Sequence, residues 1–544
     1  MRMTSVYFML LLLVPAARVS GHRKVSISVE TEAGQRSVDE RFLSVALGAS
    51  LINREWRTFD VRSAKLRRLA NALSPAYLRL GGTYSDFLIF REDGDAGGGG
   101  AGGQTDCEDS DAGDGGTGEQ TGHEDARETR WLDSYGEIRP PKNISNFTMT
   151  AHDWDNINTF ASVVEWQLIF DLNVLLRNHL RWDPSNAMQL LAYTMHRGYH
   201  PDFELGNEPD SLKHAVNRTV SSKDLAMDFR MLSRILKQSP TLQSSHIVGP
   251  DVTRSKKKSL KYLKNFLYLS GDVVSAVTMH QYYVDGRTAT LDNFTDPSVL
   301  NFLKGQLSEF VEAAKEAVPA RPLWLGETGS AWGGGAKGLS DTYVAGFMWL
   351  DKLGLAAQMG IDVVIRQTFY DGHYALIDKE LNPTPVIWSL MSILIIKSDY
   401  WLSYVYKTLI GNTVLKISSS PELSHLRLYA HCTNYRRSAY SKGSMTVFAL
   451  NLRTHAIALE LLQQQHVGNL TVHQYLLSPH GNSLTSRHVD LNGERLQLNT
   501  DDSLPTLRPH HLPAGRPIKF PGMTFAFYVL VDANAEACMD NKIW

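Results

Sequence analysis

Little in these 544 residues is able to build a metal or redox centre. Cysteine is scarce, at three, which excludes a disulfide-framed miniprotein and a thiolate cluster. No Cys or His group has the spacing of a zinc site, so no metal or other cofactor is expected. The glycine-rich stretch around Gly97-Gly98-Gly99-Gly100 opens no helix and follows no dinucleotide-binding pattern. The N-terminal apolar run, Val6 to Val14, is too short to be a membrane span. Net charge is only −2, and the absence of a reading motif argues against a nucleic-acid binder.

What is present begins with an export signal. Arg2, the apolar run, Pro15 and the small residues to Ser20-Gly21 read as a cleaved secretory peptide over residues 1–21. Sequons at Asn143, Asn146, Asn217, Asn293 and Asn469 fit that route as glycosylation sites. In an oxidising compartment Cys432 and Cys538 are expected to pair, while Cys107 stands alone. The near-neutral total hides an asymmetry. Between Glu92 and Glu128 there are twelve Asp or Glu and one Arg, so the remainder is basic, which suits a polyanionic partner. The segment 92–130 is Gly, Asp, Glu and Thr with almost nothing apolar. It cannot bury a core and reads as a solvated linker.

At this length two domains are expected. Apolar strands at Phe42 to Ala49, Ala76 to Leu80, Gln167 to Phe170, Phe203 to Leu205, His246 to Gly249, Val277 to His280, Leu323 to Leu325 and Val363 to Thr368 alternate with helical patterns. Those helices are Ser63 to Leu73, Asn186 to Met195, Ser222 to Lys237, Ser259 to Leu269, Val299 to Val318 and Ser340 to Met359. This is the signature of an α/β fold, a (β/α)8 TIM barrel over residues 41–410 interrupted by the linker. From 411 to 544 the pattern becomes short alternating strands separated by turns, a C-terminal β-sandwich. Residues 22–40, with an alternating strand at Val25 to Val29, are expected to complete that sandwich.

Two of the barrel strands end in glutamates. Phe203-Glu204-Leu205 runs into Gly206-Asn207-Glu208-Pro209, and Leu323-Trp324-Leu325 runs into Gly326-Glu327-Thr328. Pro209 cannot continue a strand. The separation suits strands four and seven, and catalytic groups of such barrels gather at strand C-termini. Paired carboxylates are the equipment for cleaving a glycosidic bond: in a retaining enzyme, about 5 Å apart, one protonates the leaving oxygen and the other attacks the anomeric carbon. Asn207 is placed to hydrogen-bond the sugar 2-hydroxyl.

Longer stretches carry a resemblance. Ser74-Pro75-Ala76-Tyr77-Leu78-Arg79 with Gly81-Gly82-Thr83, the Phe203 to Pro209 run, Tyr282-Tyr283 with Gly286 to Thr290, Trp324 to Thr328, and Ala345 to Leu355 closely resemble the heparanases, endo-β-glucuronidases of glycoside hydrolase family 79. The resemblance implies a secreted or lysosomal proenzyme that a processing protease matures by excising the acidic linker. It makes Glu208 the proton donor and Glu327 the nucleophile, with heparan sulfate or another acidic glycosaminoglycan as substrate. By the same resemblance Thr83, Lys256, Lys257, Lys258, His280, Tyr282 and Arg287 line the cleft, while Gly333, Gly334, Gly372 and Tyr374 receive the uronate carboxylate. A glycine loop offers backbone amides as an anion nest.

The sequence departs from the family in three places: Gly48 replaces an acid, Tyr84 replaces a lysine, and the apolar block Val386 to Ser398 separates Pro385 from Asp399. That block is too short to cross a membrane; it is read as an extra transcript segment or a buried helix. Two alternatives follow: a catalytically inactive heparan-sulfate-binding member of the family, and a glycosidase for another β-linked uronide. Leu325-Gly326-Glu327-Thr328 and Arg366-Gln367 side with the hydrolase.

Overall fold

The computed structural model describes residues 24–92, 144–378, 397–461, 471–513 and 515–539. The export signal, Cys107, the linker beyond Glu92, Asn143, Asn469 and the apolar block up to residue 396 lie outside the described residues.

Eight parallel strands form the central sheet. In chain order they are Leu43–Gly48, Ala76–Gly81, Trp166–Leu172, Asp202–Leu205, Val248–Val252, Ala276–Gln281, Leu323–Thr328 and Val363–Arg366, here strands one to eight. Strand eight pairs back onto strand one. Strands four and five meet through a single bridge between Phe203 and Ile247, so the sheet is a nearly closed (β/α)8 barrel.

The barrel interior is layered by the two-residue period of its strands. Ala46, Tyr77, Ile169, Val248, Ala276, Trp324, Val363 and Ile365 form an apolar plug, with the Tyr77 and Trp324 rings 4.8 Å apart. One inward position further toward the C-terminal ends, Tyr77 gives way to Arg79, Ile169 to Asp171 and Trp324 to Gly326. The core changes there from apolar to charged.

Strand and helix limits differ from the sequence expectations in instructive places. The strand expected at His246 to Gly249 runs instead from Val248 to Val252, passing Pro250 through a register shift between Gly249 and Val252. Proline has no N–H to donate, and a bulge is where a sheet accommodates it. The helix expected from Ser340 starts at Ala345. The Ser340 hydroxyl is within bonding distance of that of Ser330, 2.7 Å away, and accepts from the Ala336 amide, which holds a turn. Ala151–Val163 is a helix that the apolar pattern did not mark; Thr150 and Asp153 close a capping box at its start. Ser398–Leu409 is another.

The C-terminal region is two packed sheets. One holds Ile417–Ser420, Lys24–Val29, Ile457–Leu461 and Ile518–Phe520; the other includes Ile410–Leu415, Leu426–Thr433, Met445–Asn451, Thr524–Leu530 and Val472–Pro479. The N-terminal segment contributes to both, with Lys24–Val29 in the first and Arg36–Ser37 on the edge of the second. Val25, Ile27, Val447, Leu459, Phe520 and Tyr528 fill the space between. Cys432 and Cys538 are joined by a disulfide.

The opposite face of the larger sheet seats the helix Ala345–Met359, every residue of which is buried from Ala345 to Ala357. Two glycines permit this approach. A Cβ on Gly354 would lie 2.2 Å from the Tyr429 ring, and one on Gly346 would lie 2.6 Å from Phe525. At this helix the barrel and the sandwich meet without room for added side chains at Gly346 and Gly354. The helix Ser398–Leu409 also reaches the sandwich, with the Tyr406 ring against that of Phe448 at 5.8 Å.

Candidate active site

Glu208 stands where strand four breaks. Gly206 has a φ of +86°, and a Cβ there would lie 2.5 Å from Val174, so glycine is required on both conformational and steric grounds. Glu208 itself has a φ of 47°, a left-handed conformation costly for a side chain with Cβ and concentrated at functional sites. The turn lifts Glu208 out of the sheet, leaving its side chain 32% exposed. His280 Nδ1 lies 3.0 Å from its Oε1.

Glu327 is aimed by a different device. The inward series on strand seven runs Trp324, Gly326, so plain alternation would send Glu327 outward with Leu325. Against strand six, however, Leu325 pairs with Met279 and Glu327 pairs with His280. The register slips by one residue at Gly326, and this bulge returns Glu327 to the inward face beside His280. Gly326 is required, because a Cβ would lie 2.5 Å from Asp251 Oδ1. The Glu327 carboxylate then accepts from Tyr282 Oη at 2.7 Å and from Arg79 Nη1 at 3.0 Å.

Arg79, only 1% exposed, is the hub. Besides Glu327 it donates to Glu204 at 2.7 Å, Asn207 Oδ1 at 2.9 Å and Asp251 at 3.3 Å, with Asp171 at 3.8 Å. Asn207 Oδ1 is therefore taken, which orients its amide. Asp171 accepts from the Gly206 amide at 2.8 Å and from Ser85, bracing the turn that carries Glu208. His280 Nε2 approaches Asp251 at 3.4 Å. A continuous chain of polar groups thus links Glu208 to Glu327 through His280, Asp251 and Arg79.

Charge is unbalanced in this cluster, and protons redress it. Burial would lower the pKa of Arg79 and of His280, but the surrounding carboxylates outweigh it and hold both well above their ordinary values. Burial likewise works to raise Asp251, yet Arg79 and His280 bring it well below the carboxylate range. Burial dominates at Glu204 and Asp86, both raised well above normal, and at Asp171, pushed up to about 7. Too few cations serve these acids, so some remain neutral.

The other expected residues fall into two groups. Tyr282 stacks against Tyr374, ring centroids 6.3 Å apart. Gly333 and Gly334 have φ values of 79° and 86°, Gly372 one of 113°, and the Gly334 carbonyl accepts from the His373 amide at 3.0 Å. The loops after strands seven and eight therefore lean together beside Glu327. Thr83 lies half-buried on the loop after strand two. Lys256, Lys257 and Lys258 are exposed at the start of the helix Lys257–Ser270, outside the bonded cluster, and Arg287 is paired to Asp285 in its own turn at 2.5 Å. Asn146 and Asn217 are exposed, whereas Asn293 is half-buried and accepts from Thr290 N.

The sequence reading missed Arg79 as a site residue, although it lay within a quoted motif, and it missed Asp171, Asp251 and the role of Glu204. Their signal was a charge inside an otherwise apolar barrel strand, which must find polar partners when buried. Arg254, whose guanidinium lies 5.0 Å from the Trp332 ring centre, was missed as well.

Comparison with known proteins follows this geometry. Residues 143–354 match the family described as glycosyl hydrolase family 79, N-terminal domain. Over 97% of its length the chain is 39% identical to a protein named heparanase from Gallus gallus, 99% of which is covered. The chain belongs to glycosyl hydrolase family 79. It is a glycoside hydrolase by that membership. Within the family it is also 35% identical to a hyaluronoglucuronidase of Hirudo nipponia, covering 95% of this chain and 99% of that one. It is 34% identical to the human protein named inactive heparanase-2, covering 96% and 92%. Among solved structures, a 4-O-α-L-rhamnosyl-β-D-glucuronidase from Fusarium oxysporum has the same fold, with a TM-score of 0.58 at 15% identity over 92% of this chain and all of that one.

Proposed function

We propose that this protein is a retaining endo-β-glucuronidase that cleaves internal glucuronosyl linkages of heparan sulfate. The observation that carries this reading is the pair of glutamates on strands four and seven, both turned to the barrel mouth and joined through His280, Asp251 and Arg79. Glu208, the more exposed, protonates the departing sugar oxygen and later deprotonates the incoming water. Glu327, its carboxylate oriented by Tyr282 and Arg79, attacks the anomeric carbon and forms the glycosyl-enzyme. The glycine loops at 333–334 and 372 bind the uronate carboxylate of the sugar at the cleavage point, with Tyr374 beside them. Asn207, its Oδ1 held by Arg79, presents its amide to the 2-hydroxyl.

Sulfated substrate is favoured by charge. Outside the segment 92–128 and the export signal the chain has a net excess of cations, and Arg254, Lys256, Lys257 and Lys258 stand between strand five and the first turn of the helix Lys257–Ser270. The export signal puts the enzyme in the extracellular matrix or the lysosome. Maturation by linker excision is supported by the flanks of that segment: Leu88–Arg91 and Phe147–Thr150 pair in parallel from Leu88 with Phe147 to Arg91 with Thr150. Such pairing would hold the two pieces together after cutting.

The test is incubation of linker-excised protein with heparan sulfate and, separately, hyaluronan, with products sized by gel filtration. Large heparan sulfate fragments with new reducing ends are expected, and Glu208→Gln and Glu327→Gln should each abolish them while leaving the fold intact. Cleavage of hyaluronan alone would move the substrate to another β-linked uronide. Intact polymer that stays bound would favour the binding-only reading, and substantial hydrolysis by either variant would reject the assignment of that glutamate.

A further inference from the structure

Lys352 is a fully buried lysine that the catalytic reading leaves without a role. It lies on the helix Ala345–Met359, 1% exposed, the helix clamped between barrel and sandwich by Gly346 and Gly354. Its Nζ donates to the Thr328 hydroxyl, to the Gly329 carbonyl at 2.8 Å and to the Gln281 carbonyl at 3.4 Å. The Tyr283 ring centre lies 4.5 Å away. Burial, with Arg366 nearby, pushes the Lys352 amine well below its ordinary pKa. A buried amine, charged or neutral, is costly unless its donors are used, and here the three acceptors come from two neighbouring strand ends.

Those strand ends are the ones that aim the catalytic side chains. Gln281 lies between His280 and Tyr282, the partners of Glu208 and Glu327. Thr328 and Gly329 follow Glu327 directly. Because of the bulge at Gly326, Thr328 pairs with Gln281 on the outward face, where it also donates to the Gln281 carbonyl. Lys352 meets it from outside the barrel. If Thr328 were free to return to plain alternation, Glu327 would rotate away from the mouth.

We propose that Lys352 is a positioning residue that locks the strand-seven bulge, tying Thr328 and Gly329 to Gln281 from outside the barrel so that Glu327 faces the reacting carbon. The proposal rests on Glu327 as nucleophile. A lysine serves here because one tetrahedral amine reaches a hydroxyl and two carbonyls that converge from two strands. Its side chain touches neither carboxylate, so it acts only through the backbone it holds.

The experiment uses a 2,4-dinitrophenyl 2-deoxy-2-fluoro-β-glucuronide, whose leaving group departs without an acid, so that labelling reports nucleophile placement alone. The linker-excised wild type, Lys352→Met and Thr328→Val are compared by label site, inactivation rate constant and inhibitor affinity, each normalised to folded protein. Labelling of the wild type at Glu327 is expected. Both variants should be labelled roughly 100-fold more slowly, the loss typical of a misplaced reacting group, with affinity changed less than about threefold, in keeping with a role in placement rather than in binding. Unchanged rate constants in the folded variants would overturn the proposal, as would a loss confined to affinity. If Lys352→Met does not fold, Thr328→Val decides alone. A wild type labelled at another residue would instead reject the nucleophile assignment, an outcome distinguishable from failure of the lock.

Discussion

Replacing Arg79 with methionine tests the electrostatic account of the site most severely. The guanidinium is buried and bonded to Glu204, Glu327, Asp251 and Asn207, so its loss leaves several carboxyls without their cation. Breaking a buried ion pair by deleting one partner costs about 3–5 kcal/mol. The dependence on pH supplies a second signature. Asp251 has a depressed pKa in the wild type, opposing its burial chiefly through Arg79, so it contributes stability above the ordinary carboxylate pKa that is lost as pH falls toward its native value. Without Arg79 that contribution disappears, and the native variant retains at least one more proton at neutral pH. Each extra proton bound by the native state makes stability fall by about 1.4 kcal/mol per pH unit relative to the wild type. The deficit should therefore widen from pH 4 to pH 7. Urea midpoints at pH 4, 5.5 and 7 measure it, with turnover recorded in parallel. A deficit below about 1 kcal/mol at every pH, or one that narrows as pH rises, would refute the reasoning that Arg79 neutralises this cluster.

Three further perturbations are informative. Asp171→Asn removes a buried carboxyl whose pKa burial lifts to about 7; a raised carboxyl costs stability as pH rises from about 4 toward 7, so urea midpoints of the variant should fall less over that window than those of the wild type. Tyr282→Phe deletes the 2.7 Å bond to Glu327, a bond to a charged acceptor worth about 1.5–3 kcal/mol; kcat should drop roughly tenfold to a hundredfold, with a fall in stability of no more than that bond, and unchanged kcat would remove Tyr282 from the mechanism. Cys432→Ser together with Cys538→Ser opens a loop of sequence separation 106, a change of about 4–5 kcal/mol in a chain-entropy account. The urea midpoint should fall and become insensitive to reductant, while turnover of the remaining folded protein persists because the bridge lies in the sandwich.

Much of this protein was legible in its residues because its signals are local. Apolar strands alternating with amphipathic helices specify a barrel, Pro209 ends a strand wherever it occurs, and glycines at 206 and 326 mark backbone that tolerates no side chain. Those features placed Glu208 and Glu327 at two strand ends. Even Cys432 and Cys538 required little more than counting. Helix Ala151–Val163 was readable too, in its capping box, though its apolar positions alone did not identify it.

What the tertiary structure alone decided is which way the charges face and what they meet. A one-residue slip against strand six turns Glu327 inward, and no local pattern in Leu-Trp-Leu-Gly-Glu-Thr distinguishes that register from plain alternation, since the choice depends on pairing with His280 and on the space Asp251 leaves at Gly326. Arg79, Asp171, Glu204, Asp251 and His280 come from five different strands, and only barrel closure brings them within bonding distance, where burial strengthens each interaction and forces a shared set of protons. Lys352 belongs to the same class: in the sequence it is a lysine in an apolar helix, and only the clamping of that helix between two domains makes it the tie behind the nucleophile.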